Sequence, residues 1–220
     1  MKIRRNIPFK GAVVRYIITL LVYLGSSCLA WPQLNEYEIA DGTLLTKWAK
    51  EVTPENVHQE YPRPQMVREK WQNLNGLWDY SVVPRDERKP TVWQGKILVP
   101  FPIESALSGV GMSVSADKNL WYHREFSVPE NWRGNRWLLH FGAIDFGSTV
   151  WVNGIEVGSH RGGYDPFSID VSDALIAGKA QTIVIRVWDP TDNGTQPRGK
   201  QVNNPGGIWY TSVTGIWQTV

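Results

Sequence analysis

Cysteine is almost absent from this sequence, since Cys28 is the only one among 220 residues. It lies in an N-terminal segment that we expect to be removed, so no disulfide is expected in the remaining chain and its core must supply the stability. Charge is also sparse, because 20% of residues are charged and the formal net charge is +2. Such a balance produces no large positive field, so the sequence predicts no nucleic-acid partner.

The residue patterns of common catalytic centres are missing too. The four histidines are scattered, and neither CxxC nor HExxH occurs, so the sequence predicts no metal site and no cofactor. A phosphate-binding glycine loop and a GxSxG turn are also absent. Glu125 alternates with apolar residues, which favours a solvent-exposed strand face over half of a catalytic pair. Asp145 is interpreted as a turn acceptor, so the residues alone predict no catalytic site.

Long apolar runs are confined to the N-terminus. A basic segment precedes Tyr16 to Leu24, which is too short to span a bilayer. Cys28-Leu29-Ala30 then provides a cleavage site for signal peptidase. We therefore predict a signal peptide at 1–30, cleavage after Ala30, and a secreted or periplasmic protein without a stable membrane span. A lipoprotein signal that uses Cys28 is the less favoured alternative, because Leu24 lies one position too far from it.

The clearest positive pattern lies at residues 136–158. Side chains alternate from Trp137 to Phe141, which is the period of two of a β-strand. A second apolar stretch then runs into Asn153-Gly154, a pair that tolerates the positive φ angles of a type I′ turn. The pattern predicts two strands joined by a tight antiparallel hairpin.

Comparable patterns predict strands along most of the chain. Residues 31–60 form a lead-in segment, 109–119 an exposed loop and 189–205 a long polar loop, with one helical turn after Ser172 or Asp173. Eight or so short strands with almost no helix predict an all-β protein, a β-sandwich of the jelly-roll kind. The remaining predicted strands are 74–83, 96–99, 121–128, 167–171, 181–188, 208–210 and 216–220.

Residues 189–201 (DPTDNGTQPRGKQ) form the densest polar cluster in the sequence. Their carboxylate, amide and guanidinium groups match the donors and acceptors of sugar hydroxyls. Two prolines restrict the course of this segment. A solvated turn region explains the same composition equally well, so both interpretations stay open at this point. The polar members are Asp189, Asp192, Asn193, Gln196, Arg198, Lys200 and Gln201.

Tryptophan is abundant, with twelve residues, and one of them lies in a second candidate site. Trp209 and Tyr210 follow Gly206-Gly207, and an aromatic ring at a strand end can stack on a sugar. Such a pair more often fills a sandwich core. Strand alternation leads us to expect one of the two rings buried and the other exposed.

Several motifs, taken in order, resemble the N-terminal sugar-binding domain of glycoside hydrolase family 2, the β-galactosidase and β-glucuronidase family. The resemblance covers about residues 61–220. In that family a jelly-roll domain of the galactose-binding-domain-like kind precedes an immunoglobulin-like domain and a TIM barrel that holds two catalytic glutamates. The motifs are LNGLWDYSV, LVPFPIES, LWYHREFSVP, LLHFGAIDFGSTVWVNGIEVGSHRGGYDPFSIDVS, IVIRVWDPTD, PRGKQ and GIWYTSVTGIWQTV.

The resemblance implies a carbohydrate-binding domain at 61–220, truncated at its C-terminal end and inactive alone because the barrel is lacking. The implied partners are a β-linked carbohydrate and the missing immunoglobulin-like and barrel domains. A stand-alone, lectin-like carbohydrate-binding module and a purely structural sandwich are the alternatives. Asp192 matches the family's substrate-pocket aspartate, and the further implied binding residues are Arg198, Lys200, Gln201 and Trp209.

Overall fold

Ten β-strands and five short 3₁₀ turns form the regular structure of the residues that the computed structural model describes, 37–42, 44–132 and 134–220. The predicted signal peptide at 1–30 lies outside the described residues, as does the start of the predicted lead-in segment. The 3₁₀ turns are Ala49–Glu51, Pro64–Met66, Ala106–Ser108, Glu130–Trp132 and Ser172–Ala174. The strands are β1 (Gly76–Pro84), β2 (Gly95–Val99), β3 (Lys118–Phe126), β4 (Leu138–Phe141), β5 (Ile144–Asp145), β6 (Gly147–Val152), β7 (Ile155–Arg161), β8 (Phe167–Asp170), β9 (Gln181–Trp188) and β10 (Gly215–Ile216).

The larger sheet has six antiparallel strands in the order β2-β1-β3-β9-β6-β7. Strand β9 lies inside this sheet, between β3 and β6. Its Ile183 and Ile185 are fully buried, whereas Arg186 is exposed. This alternation lets one face of the sheet pack on the core while the other meets solvent.

Two antiparallel strand pairs, β4–β8 and β5–β10, form the second layer. Leu139 and Phe141 of β4 and Ile144 of β5 turn inward and share one core with Trp78 and Tyr122 of the larger sheet. The rings of Trp78 and Tyr122 meet edge to face, with centroids 6.3 Å apart. The protein is therefore an all-β jelly-roll sandwich, as predicted.

The predicted hairpin is present between β6 and β7. Asn153 has φ 50° and Gly154 has φ 83°, so both turn residues adopt the left-handed region that a type I′ turn needs. The pairing shifts by one residue between Val150 and Trp151, which makes a β-bulge next to the turn.

The predicted boundaries were wrong in two loops. The loop predicted at 109–119 ends earlier, because Lys118 and Asn119 belong to β3. Asn119 is buried there, and its side-chain amide donates to the carbonyl of Arg85 at 3.2 Å. Ile208 lies in a turn, and Trp209 and Tyr210 form isolated bridges, so the predicted strand 208–210 is absent.

Candidate functional site

The predicted polar loop extends to residue 214 and joins β9 to β10; we call residues 189–214 the connecting loop. Near its start, the carboxylate of Asp192 accepts a hydrogen bond from the backbone N–H of Asn203 at 3.2 Å and another from the Asn203 side chain. Its Oδ2 atom also lies 4.0 Å from Nη1 of Arg198. Asp192 therefore ties two distant parts of the loop together, and the side chains of this ion pair remain partly exposed to solvent.

Three neighbouring apolar residues project from the other end of the connecting loop; we call Ile208, Trp209 and Tyr210 the aromatic tip. They are 64%, 44% and 62% exposed, respectively. The expectation that one of the two rings is buried was wrong, because this segment is a turn and strand alternation does not apply to it. Lys200 Nζ lies 5.8 Å from the Tyr210 ring centroid, so a cation accompanies the exposed rings.

Gln201 lies on the opposite, inward side of the connecting loop and is only 8% exposed. Its Nε2 donates to Asp145 Oδ2 and to the Tyr164 hydroxyl, both at 3.1 Å. Its Oε1 accepts from the backbone N–H of Val213 at 2.6 Å. Every polar atom of this amide is therefore used inside the protein. Gln201 anchors the loop instead of facing solvent beside the aromatic tip.

Two further carboxylates hold the last residues of the connecting loop. Asp189 accepts hydrogen bonds from the Thr191 backbone at 2.7 Å and from the Thr214 hydroxyl at 2.8 Å. Glu104 accepts from the Thr214 backbone at 2.9 Å and from the Ser212 hydroxyl at 3.0 Å. These bonds fix the position of the loop before it enters β10.

The carboxyl groups beneath the loop titrate at unusually high pH. Burial raises the pKa of Asp145 to about 7, the charge of Asp189 acts in the same direction, and the Gln201 hydrogen bond opposes both. Burial also raises the pKa of Glu104 to about 7, against the hydrogen bonds that it accepts. The pKa of Asp189 is raised by burial as well. At mildly acidic pH, Asp145 and Glu104 therefore carry little negative charge.

Asp145 is the site residue whose role the sequence interpretation missed. It is not a turn acceptor, because it lies in β5, pairs with Gly215 and is 4% exposed. Gly163 leaves room for it, since a Cβ atom at position 163 would lie 2.5 Å from the Asp145 carboxyl. The sequence showed only that Asp145 lies beside an apolar stretch. That signal could not show that Gln201, 56 residues later, meets it.

Glu125 is exposed on β3, as predicted. Within residues 37–42, 44–132 and 134–220, no group of three His, Cys, Asp or Glu side chains is placed to hold a metal ion. In the same part of the chain, no helix has the length and apolar character to cross a membrane.

Comparison with known protein families shows to which family this chain belongs. The family described as "Glycosyl hydrolases family 2, sugar binding domain" matches residues 97–214. The chain belongs to glycoside hydrolase family 2. The matched region of this family 2 domain begins in β2 and ends with the connecting loop, so it includes Asp192, Arg198, Lys200, Gln201 and Trp209.

Relatives of the family 2 domain are named as glycosidases. A β-glucuronidase from Paenibacillus borealis is 28% identical over 146 residues, which cover 64% of this chain and 24% of that protein. A β-galactosidase from Thermoanaerobacter pseudethanolicus is 32% identical over 101 residues, covering 46% and 13%, respectively. The solved β-glucuronidase from Ruminococcus gnavus in complex with C6-substituted uronic isofagomine has a TM-score of 0.48 and 24% identity, covering 56% of this chain and 23% of its own. The family 2 domain thus spans about a quarter or less of these relatives.

Proposed function

We propose that residues 61–220 are the carbohydrate-binding domain of a secreted family 2 enzyme that hydrolyses β-glycosidic bonds. In this proposal hydrolysis belongs to a catalytic barrel outside these residues, where two carboxylates act as acid and nucleophile. The family match over 97–214 and the names of the relatives support this assignment. The sugar ligand is a β-linked carbohydrate, and the barrel and an immunoglobulin-like domain are the proposed protein partners.

The observation that carries the proposal is an exposed aromatic tip on a firmly anchored loop. A free loop loses conformational entropy when it binds a ligand, and the buried Gln201 contacts reduce that loss in advance. Trp209 presents a partly exposed ring that can stack on the apolar face of a sugar. We assign stacking to Trp209, hydrogen bonding and charge contacts to Asp192, Arg198 and Lys200, and the anchoring role to Gln201.

Titration calorimetry with cellotetraose, a neutral β-linked sugar, tests this assignment. We expect Trp209→Ala to weaken binding about tenfold, or ~1.4 kcal/mol, because a stacking surface is lost. Trp48→Ala is the matched control, since Trp48 is another exposed tryptophan, 58% exposed and far from the loop in sequence. The assignment fails if cellotetraose does not bind, or if both variants weaken it equally.

A separate experiment tests whether this protein lacks hydrolytic activity of its own. We expect the purified protein of 220 residues to leave 4-nitrophenyl β-D-galactoside and 4-nitrophenyl β-D-glucuronide unhydrolysed. This part of the proposal is overturned if hydrolysis of either compound is measured and this activity copurifies with the chain.

Export is proposed from the N-terminal pattern of a basic segment, an apolar run and Cys28-Leu29-Ala30. Mass spectrometry of the protein recovered outside the cytoplasm should give a chain that begins at Trp31. A chain that begins at a lipid-modified Cys28 supports the lipoprotein alternative, and an intact Met1 contradicts cleavage.

A further inference from the structure

A groove of about 920 Å³ lies along the β4–β8 pair, bounded also by residues 58–72 and by residues 217–220. No residue of the connecting loop, all of which is described, lines this groove. Its volume falls in the range of clefts that bind small ligands. The groove is therefore a candidate for a binding site separate from the aromatic tip.

Paired aromatic rings form part of the groove wall. Tyr61 and Trp71 have ring centroids 4.9 Å apart, and Trp132 and Trp137 have centroids 5.3 Å apart. All four side chains line the groove and are only partly buried. Each pair holds its rings in place while leaving ring surface accessible. Such surfaces fit the apolar faces of sugar rings.

In two side-chain pairs near the groove, a basic nitrogen lies close to a carboxylate. Arg136 Nε lies 2.5 Å from Asp170 Oδ2, and His58 Nδ1 lies 2.9 Å from Glu60 Oε1. Glu60 is the only acidic side chain among the described residues that line the groove. The other cations on the groove wall have no acidic partner there.

Arg63 and Arg68 are two of those cations, and Lys70 is a third. Both arginines are exposed, and neither guanidinium forms a hydrogen bond or ion pair with any described residue. Both line the groove together with His140. Partial burial, then the charges of Arg68 and Arg63, lower the pKa of His140. The His140 ring nitrogen Nδ1 lies 2.6 Å from the Ser168 hydroxyl. Two free guanidinium groups thus lie near a polar pair on strands β4 and β8.

We infer that this groove binds a β-linked oligosaccharide that carries uronic acid carboxylates. Arg63 and Arg68 pair with a carboxylate, because a planar guanidinium donates two parallel hydrogen bonds to a planar acceptor. The ring pairs stack on the sugar faces. An acidic peptide offers the same charge but lacks the flat apolar ring faces. The inference builds on the proposed sugar-binding function and adds a second site with a different ligand charge.

Calorimetry with a hyaluronan tetrasaccharide, in which uronic acid alternates with a neutral sugar, tests the inference. We expect the double variant Arg63→Ala/Arg68→Ala to bind it at least tenfold more weakly and to bind cellotetraose as before. The matched control is Arg88→Ala/Lys89→Ala, which removes the same charge from an exposed loop. Added sodium chloride should weaken hyaluronan binding by the original protein, because salt screens exposed charges.

A third variant separates geometry from charge and from misfolding. Arg63→Lys/Arg68→Lys keeps both charges but loses the planar fork, so we expect binding between those of the original protein and the alanine variant. Melting temperatures of all variants should agree within a few degrees.

The two sites are distinguished by Trp209→Ala, which should weaken cellotetraose binding and leave hyaluronan binding intact. Hyaluronan binding without cellotetraose binding contradicts the aromatic-tip assignment alone. The groove inference is overturned if hyaluronan does not bind, if the control variant loses as much affinity, or if the groove captures an acidic protein and no saccharide.

Discussion

Gln201 and Asp145 make one of the contacts that hold the connecting loop against the sandwich. The contact depends on a third residue, because Asp145 fits only where residue 163 has no side chain. Trp217 closes the same region by donating from its indole nitrogen to the Gly163 carbonyl at 2.7 Å. A glycine, an acid and an amide therefore act as one unit although the sequence separates them widely.

Gly163→Ala should lower the free energy of unfolding by about 2–3 kcal/mol. The new Cβ atom would lie 2.5 Å from the Asp145 carboxyl, and a buried side chain cannot move aside without strain. Urea unfolding followed by tryptophan fluorescence measures the change. Gly206→Ala is the control, because nothing lies within 4 Å of its Cβ position, and it should stay within about 0.5 kcal/mol. Equal effects at both positions would show that Gly163 has no steric role.

At the scale of elements, the side chain of Asn153 helps to fix the turn between β6 and β7. Asn153 gives the β6–β7 hairpin its positive φ and also reaches out of it. Its Nδ2 donates to the Ala174 carbonyl at 2.8 Å and to Gln181 Oε1 at 2.7 Å, and its Oδ1 accepts from the Thr182 backbone at 2.9 Å. The hairpin is thereby joined to the beginning of β9.

Two substitutions at Asn153 separate these roles. Asn153→Ala loses the hydrogen bonds and strains the left-handed backbone, so we expect a loss of about 2–4 kcal/mol. Asn153→Gly loses the same bonds but adopts positive φ without strain, so it should be about 1 kcal/mol more stable than the alanine variant. Thermal unfolding by circular dichroism measures both. Identical melting temperatures for the two variants would contradict a contribution from the backbone conformation.

At the scale of the whole molecule, the described sandwich has one apolar core and three buried carboxyl groups, two beneath the connecting loop and one at its start. Asp145, Glu104 and Asp189 all have a raised pKa, chiefly because burial disfavours their charged forms. Their ionisation therefore acts against the folded state as a whole. The stability of the protein should depend on pH accordingly.

We expect the free energy of unfolding to fall as pH rises from about 4 to about 7. A folded pKa above the unfolded pKa means that the native state binds more protons in this window, so stability decreases through it and then levels off. For Asp145, with a pKa moved from 3.8 to about 7, the effect is at most about 4 kcal/mol. Urea unfolding at a series of pH values measures it.

Asp145→Asn tests whether ionisation of Asp145 causes this pH dependence of stability. Its amide oxygen can still accept the Gln201 hydrogen bond, but no charge is buried. It should match the original protein near pH 4 and become the more stable of the two toward pH 7.5. A difference between the two proteins that stays constant with pH would rule out Asp145 as the source.

The amino-acid sequence by itself determined the elements of this protein that depend on near neighbours. Alternation of side chains predicted β1, β3 and β9, and Asn153-Gly154 predicted the hairpin, because strand faces and tight turns follow from local backbone geometry. The order of the motifs pointed to the family, which the match over residues 97–214 confirms. The polar composition of residues 189–201 left a sugar-binding loop and a solvated turn region equally open.

Only the tertiary structure decided how that loop is held and which of its side chains remain outside. Gln201 turns inward to Asp145, whereas Trp209 and Tyr210 both remain exposed. These outcomes depend on contacts between residues dozens of positions apart, on the absence of a side chain at Gly163, and on burial. A local pattern carries no information on such contacts, because they exist only after the two layers of the sandwich have packed.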